Sequence, residues 1–139
     1  MSRTVVLVDA VRTPFGKAGS MYAGTRADDL MVRAMRGLLE RNPKVSPELI
    51  DDVAIAATTQ QGDQGLTIGR TAAILAGLPL SVPGYAIDRM CAGALTAVTT
   101  TASAIVTQRQ RRATLRQTLE VREVRFSVGI ARHCENNCK

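Results

Sequence analysis

An apolar strand, a cysteine and an apolar helix follow one another in the segment Tyr85-Ala86-Ile87-Asp88-Arg89-Met90-Cys91-Ala92-Gly93-Ala94-Leu95-Thr96-Ala97-Val98. Residues 85–87 follow a Pro-Gly pair and are typical of a short strand. Residues 92–106 are almost all Ala, Thr, Val, Leu and Ile, which predicts a buried helix. The sequence therefore predicts a strand, a turn that contains Cys91, and a helix.

A first strand and helix are predicted near the N-terminus. The continuous apolar run Val5-Val6-Leu7-Val8 is typical of a strand that is buried on both faces. From Thr25 to Pro43 the pattern predicts a helix, with Thr25 and Asp28 as an approximate capping box. Its apolar face consists of Leu30, Met31, Ala34, Met35, Leu38 and Leu39.

A second strand and helix lie between these two segments. Residues 53–57 predict a buried strand, a polar loop follows over residues 58–65, and Ile68–Ala76 predicts a helix of small residues. The only arginine of that helix, Arg70, is expected to form an ion pair with Asp63 or Asp88. The order βαβαβα predicts an α/β fold with a parallel-rich sheet covered by helices.

The charge of the chain is concentrated near its C-terminus. The 139 residues are 45% hydrophobic, which is enough for one domain with a core and argues against general disorder. Residues 107–139 contain eight Lys and Arg against three Asp and Glu, so this segment accounts for most of the net charge of +6. We predict a domain over residues 1–106 and a basic tail without a recognisable fold over residues 107–139. Because the tail lacks aromatic interleaving, nucleic-acid binding is not favoured.

The cysteines and the apolar runs indicate the cellular compartment. The N-terminus has too short an apolar run for a secretory leader, and no stretch approaches the length of a membrane span, so we predict a cytoplasmic protein with free thiols and no membrane partner. In the tail, His133, Cys134 and Cys138 offer three metal ligands. A structural zinc site needs four, so no metal site is predicted.

The placement of Cys91 leaves two interpretations open. At the start of a helix, unpaired N–H groups and the positive end of the helix dipole favour a thiolate, and the small neighbours Ala92, Gly93 and Ala94 leave room for an acyl group. This is the setting of a cysteine used in covalent acyl transfer. Single cysteines near a core are nevertheless commonly inert, and the residues alone favour that interpretation.

Three blocks in the same order resemble the thiolase family over residues 4 to about 106. They are residues 12–17 (Arg-Thr-Pro-Phe-Gly-Lys), residues 69–79, and residues 87–98 around Cys91. The resemblance implies that Cys91 is the acyl-accepting nucleophile and that acyl-coenzyme A and coenzyme A are the substrates, with no bound cofactor. It also implies an acyltransferase of fatty acid metabolism, which cleaves 3-oxoacyl-coenzyme A or condenses acetyl-coenzyme A and is a homo-oligomer when intact.

The chain also departs from the family pattern. Thiolases usually have Asn or a small hydroxyl residue at the position of Asp88, and Ser or Thr at that of Gly93. The family's histidine motif and Cys-Gly-Gly-Gly motif, which supply the base and a second cysteine, do not occur in these 139 residues. We therefore expect little turnover from this chain alone, and open packing surfaces that lower its solubility.

The tail prompts two further hypotheses. The family pattern stops near residue 107, and one explanation is a frameshift, after which the tail is translated out of frame. The alternative function is a non-catalytic interaction or nucleic-acid-associated protein that acts through the basic tail.

Overall fold

The computed structural model describes residues 5–112 and 124–129, and beyond residue 107 it describes the backbone alone. Within these residues the chain forms three helices and three strands. The helices are α1 (Ala27–Arg41), α2 (Ile68–Ala76) and α3 (Gly93–Arg112), and the strands are β1 (Ile50–Ala56), β2 (Gly84–Ile87) and β3 (Val124–Gly129).

The three strands form one parallel sheet in the order β2-β1-β3. The register places Val53 opposite Gly84 and Ala56 opposite Ile87, so β1 and β2 end together. On its other edge β1 pairs with β3, with Ala56 opposite Gly129. The α/β architecture and the parallel sheet predicted from the sequence are confirmed.

Helices cover the central strand on both faces, which explains its unbroken apolar sequence. Val53, Ile55 and Ala57 are buried in one core cluster with side chains of α1 and α2. Ala56 faces the other way and lies against the start of α3, where a Cβ on Gly93 would be 3.0 Å from the Ala56 Cβ. The sheet therefore lies between α1 and α2 on one side and α3 on the other.

The prediction of a strand over residues 5–8 was wrong. These residues form no strand, and Val6, Leu7 and Val8 are 69%, 84% and 73% exposed. An apolar, β-branched run becomes a strand only where it pairs with a neighbouring strand, and no strand of the described sheet, in the order β2-β1-β3, pairs with this run. The chain is instead anchored just beyond this run, where Asp9 accepts hydrogen bonds from Arg41 and Asn42 at the end of α1.

Helix α3 is longer and more exposed than the sequence predicted. It continues to Arg112, so the predicted domain boundary at residue 106 lies inside it, and β3 lies within the predicted tail. One face is buried, through Gly93, Ala97 and Thr101. On the other face Leu95 and Val98 are 69% and 45% exposed. The division into a domain and a tail remains a prediction.

The expectation of no stretch long enough for a membrane span was wrong. In length and composition the helical window Met90–Thr107 is apolar enough to cross a membrane. A single window of this kind is weak evidence for a membrane segment, because it rests on length and composition alone. The buried stripe that packs on the sheet shows that this helix is part of the α/β fold.

Candidate functional site

Cys91 lies in a tight turn at one end of the parallel sheet. The turn, Met90–Ala92, connects the carboxyl end of β2 with the start of α3, and Cys91 is exposed. Because β1 and β2 are parallel and end in register, the loop after β1 also begins at the carboxyl end of the sheet. In open parallel sheets, ligands bind outside the carboxyl ends of the strands. Cys91, the predicted nucleophile, therefore lies at the carboxyl end of the sheet, where a ligand site is expected.

The backbone next to Cys91 and in the loop after β1 is strained. Met90, directly before Cys91, has φ 46°, in the left-handed region that a residue with a side chain rarely adopts. Among the described residues the other non-glycine positions with positive φ are Thr59, Leu66 and Thr67, all in the loop that follows β1. Each such position costs about 1–3 kcal/mol, and strain of this kind clusters at functional sites.

Two side chains bind the backbone of Met90. The Met90 N–H donates to Oδ1 of Asp88 at 3.2 Å, and the Thr58 hydroxyl donates to the Met90 carbonyl at 3.4 Å. The second distance is long for an O–H···O bond, so Asp88 makes the stronger contact. The carboxylate of Asp88, three residues before Cys91, thus binds the backbone of the turn.

The remainder of the turn is fixed to α3 and β1. The Arg89 guanidinium donates to the Thr96 hydroxyl at 3.2 Å, and that hydroxyl donates to the Ala92 carbonyl at 2.8 Å. Gly93 is buried against Ala56, and a side chain at this position would crowd that strand. The departure from the family at Gly93 therefore fits the close approach of α3 to β1.

Helix α3 begins two residues after Cys91, as the sequence predicted. The N–H groups of a first helical turn have no partner within the helix, and the helix dipole is positive at this end. An exposed thiol beside them is open to an incoming acyl group and lies near positive potential. An exposed cysteine at such a position is able to take up an acyl group.

The described residues contain only some of the candidate reactive and metal-binding side chains. Cys91 is the one cysteine among the described residues, and those residues contain no cluster of three metal-ligating side chains. His133, Cys134 and Cys138 lie outside the described residues. Sequence reasoning missed the Thr58 contact and the left-handed Met90, because no sequence pattern marks a left-handed methionine.

The expected ion pair of Arg70 does not form. Its guanidinium donates to the carbonyls of Val82 at 2.5 Å and Leu80 at 3.0 Å, so it stabilises the loop before β2. Its two expected partners bind backbone N–H groups instead: Asp63 that of Ala27, and Asp88 that of Met90.

Comparison with known proteins decides the family. The model of the thiolase N-terminal domain matches residues 5–115, which is most of the chain. The chain belongs to the thiolase family. The match extends beyond residue 107, near which the family pattern was predicted to stop.

Thiolase relatives share this N-terminal part. The chain is 45% identical over 105 residues to the beta-ketoadipyl-CoA thiolase of Pseudomonas knackmussii, an alignment that covers 76% of this chain and 26% of the relative. It is 43% identical over 103 residues to the 3-ketoacyl-CoA thiolase of Pseudoalteromonas translucida, covering 73% of this chain and 26% of the relative. The chain thus spans about a quarter of the length of these curated relatives. Their names do not favour a nucleic-acid-associated protein.

A solved thiolase-family structure has the same fold. The acetyl-CoA acetyltransferase of Bacillus anthracis superposes with a TM-score of 0.65 at 31% sequence identity, covering 70% of this chain and 24% of that one. The α/β half-domain predicted from the sequence is therefore a thiolase fold.

Proposed function

We propose that the chain contains the acyl-accepting nucleophile of a thiolase-type acyltransferase, and that this nucleophile is Cys91. The observation that supports the proposal most strongly is the placement of an exposed cysteine in the strained turn between β2 and α3, inside the segment that matches the thiolase N-terminal domain. The relatives' names, which include 3-ketoacyl-CoA and beta-ketoadipyl-CoA thiolases, support coenzyme A thioesters as the substrate class.

The first half-reaction is the transfer of an acyl group to sulfur. The Cys91 thiolate attacks the thioester carbonyl of an acyl-coenzyme A, and a new carbon–sulfur bond forms. The bond to the coenzyme A sulfur breaks, and coenzyme A leaves as a thiolate that takes a proton from water. The N–H groups at the start of α3 stabilise negative charge near the reacting sulfur.

The second half-reaction resolves the acyl-enzyme. In the condensation direction the α-carbanion of a second acetyl-coenzyme A attacks the acyl carbon, and the bond to the Cys91 sulfur breaks. In the cleavage direction the acyl-enzyme forms instead when Cys91 attacks the 3-oxo carbonyl of a 3-oxoacyl-coenzyme A and the carbon–carbon bond breaks to release acetyl-coenzyme A. The thiolate of coenzyme A then takes the acyl group from Cys91. Both routes need a base, and the condensation also needs a group that removes an α-proton. We propose that the 139-residue chain completes the first half-reaction and turns over little, because the motifs that supply those groups in the family do not occur in its sequence.

The cellular setting follows from the same proposal. A free reactive thiol requires reducing conditions, so we place the protein in the cytoplasm. We also propose that the intact family member is a homo-oligomer. The apolar residues exposed on α3 support this proposal, because apolar side chains that are solvated in one chain gain free energy when a protein surface covers them.

The proposal is tested by counting the coenzyme A that is released. The chain is mixed with excess acetyl-coenzyme A, and free coenzyme A is followed with a thiol reagent after the protein has been removed. We expect a burst of about one equivalent per chain, because each acylated Cys91 releases one coenzyme A, followed by little further release.

The control is the variant Cys91→Ser, which should release none because serine without a base is a poor nucleophile. A burst of equal size from this variant would contradict the role of Cys91. Sustained turnover by the native chain would contradict the half-reaction proposal.

A further inference from the structure

We propose that Asp88 is a positioning residue that holds Met90 in its left-handed conformation and thereby places Cys91 for reaction. The inference rests on the proposed function of Cys91, to which it adds a residue that acts through the backbone. Its basis is the geometry of the turn: Met90 has φ 46°, and its N–H donates to Asp88 Oδ1 at 3.2 Å.

The conformation of Met90 needs an external cause. A methionine has no local preference for positive φ, since its Cβ crowds the backbone there, whereas Gly and Asn adopt this region readily. Its side chain is 71% exposed, so core packing does not hold it. The Asp88 carboxylate and the Thr58 hydroxyl are the side chains that bind its backbone, and the Gly93 N–H also donates to the Met90 carbonyl.

The dihedral angle at Met90 determines where Cys91 lies. The chain enters the turn from β2 with a fixed direction, and α3 is held by Gly93 against Ala56. If Met90 relaxes to negative φ, the turn between these two fixed elements has to shift. The thiol then leaves its place in front of α3. Asp88 therefore acts on the reaction without touching the substrate.

The acid at this position suits the role. A carboxylate accepts a backbone N–H more strongly than a neutral group does, because the bond is charge-assisted. Asparagine has the same shape and an acceptor oxygen in the same place. Asp88→Asn should therefore preserve most of the effect, whereas Asp88→Ala removes the acceptor.

The test uses the full chain with Cys134→Ser and Cys138→Ser, so that Cys91 is the only thiol. The second-order rate of alkylation by iodoacetamide is measured for Asp88→Ala, Asp88→Asn and the double variant Asp88→Ala/Met90→Gly. We expect the rate to fall roughly tenfold in Asp88→Ala, which corresponds to about 1.4 kcal/mol. It should stay within about threefold in Asp88→Asn, and glycine at position 90 should restore it, because glycine adopts positive φ without help.

Asp52→Ala is the matched control. Asp52 also accepts a neighbouring backbone N–H, that of Val53 at 2.9 Å, but it lies on β1 away from Cys91. Its alkylation rate should equal that of the parent. Denaturant midpoints are recorded for all variants, so that a rate change is scored only for a folded chain.

Two outcomes would overturn the proposal. One is an Asp88→Ala rate equal to that of the parent, and the other is a loss in Asp88→Ala that glycine at position 90 does not restore. Because alkylation needs no acyl-coenzyme A, the result is independent of the proposed function. If alkylation depends on Asp88 as expected and acetyl-coenzyme A fails to label Cys91, the acyl-transfer proposal fails and the positioning role stands.

Discussion

At the scale of single residues, Gly69 and Gly84 allow α2 to contact β2 through the backbone. A Cβ at position 69 would lie 2.1 Å from the Tyr85 carbonyl oxygen, and one at position 84 would lie 2.5 Å from the Gly69 carbonyl oxygen. Neither neighbour is a flexible side chain that could move aside. The two glycines therefore determine how closely this helix approaches the sheet.

We predict that Gly69→Ala lowers the free energy of unfolding by about 3 kcal/mol, because the added methyl group forces α2 away from β2. Urea denaturation followed by circular dichroism measures the change. The matched control is Gly37→Ala in α1, where no atom apart from the two chain neighbours and the backbone of its own helix lies within 4 Å of the added Cβ. That variant should gain about 0.5–1 kcal/mol from helix propensity. Equal effects of the two substitutions would contradict the packing argument.

A second residue-scale prediction concerns acid stability. Arg26 donates two hydrogen bonds to Asp28, at 2.9 and 2.8 Å, and these hold the pKa of Asp28 below its usual value of 3.8. A carboxyl group whose pKa is lower in the folded state stabilises the fold above its unfolded pKa, and this stabilisation is lost as the pH falls through the folded value. For an ion pair with an exposed arginine it amounts to about 0.5 kcal/mol.

Asp28→Asn should therefore reduce the loss of unfolding free energy between pH 5 and pH 2, as measured by urea denaturation across that range. Part of the pH dependence will remain, because the hydrogen bond from Asn42 also lowers the pKa of Asp9. Asp9→Asn serves as the comparison. A pH profile that Asp28→Asn leaves unchanged would show that the ion pair does not stabilise the fold.

At the scale of elements, the start of α1 depends on a distant loop. The predicted capping box of Thr25 and Asp28 does not form, and Arg26 occupies the N-cap position without a side-chain cap. The first N–H of the helix, that of Ala27, instead donates to Oδ2 of Asp63 at 2.6 Å. Asp63 thus acts as a helix cap from the loop that follows β1.

We predict that Asp63→Ala destabilises the chain by about 1 kcal/mol, because it removes the acceptor for that N–H. Asp63→Asn should retain most of the stability, since the amide oxygen also accepts. Hydrogen exchange of the amides in the first turn of α1 locates the effect. The control is Glu40→Ala, an exposed position near the other end of the same helix, which should change stability by less than about 0.5 kcal/mol. Unchanged exchange in Asp63→Ala would refute the capping role.

The elements that could be predicted from the sequence are those determined by the local pattern of apolar and turn-forming residues. α2 begins and ends where its small-residue run and Gly77 predicted, and β2 and α3 flank Cys91 as expected. Residues 5–8 could not be placed this way, because their pattern states a preference for burial and does not say which sheet edge is free. The hydrogen-bond partners of Asp63 and Asp88 could not be predicted either, because both are backbone N–H groups, and every residue except proline has one.

At the scale of the whole molecule, the exposed apolar residues of α3 form one surface through which chains can associate. Leu95 and Val98 are exposed on this helix, opposite the stripe that packs on the sheet. We predict that Leu95→Gln combined with Val98→Thr weakens self-association, because less apolar surface is available for contact between chains. Sedimentation velocity over a range of concentrations measures the effect.

Stability should hardly change in that double variant, because neither side chain is part of the core. The control is Ala97→Gln on the buried stripe of the same helix, where the residue is 0% exposed. It should lower the free energy of unfolding by about 2 kcal/mol through overpacking and an unsatisfied amide. Self-association that persists unchanged in the double variant would place the contact elsewhere.

The role of Cys91 is tested by locating the acyl group after the folded chain has reacted with acetyl-coenzyme A. The protein is quenched in acid and digested, and the peptides that contain Cys91, Cys134 and Cys138 are compared by mass spectrometry. We predict a single acetyl group on Cys91, at least about tenfold above the other two sites, because its thiol lies at the start of a helix in a strained turn. Equal labelling of the three cysteines, or labelling that survives denaturation in urea, would contradict the account.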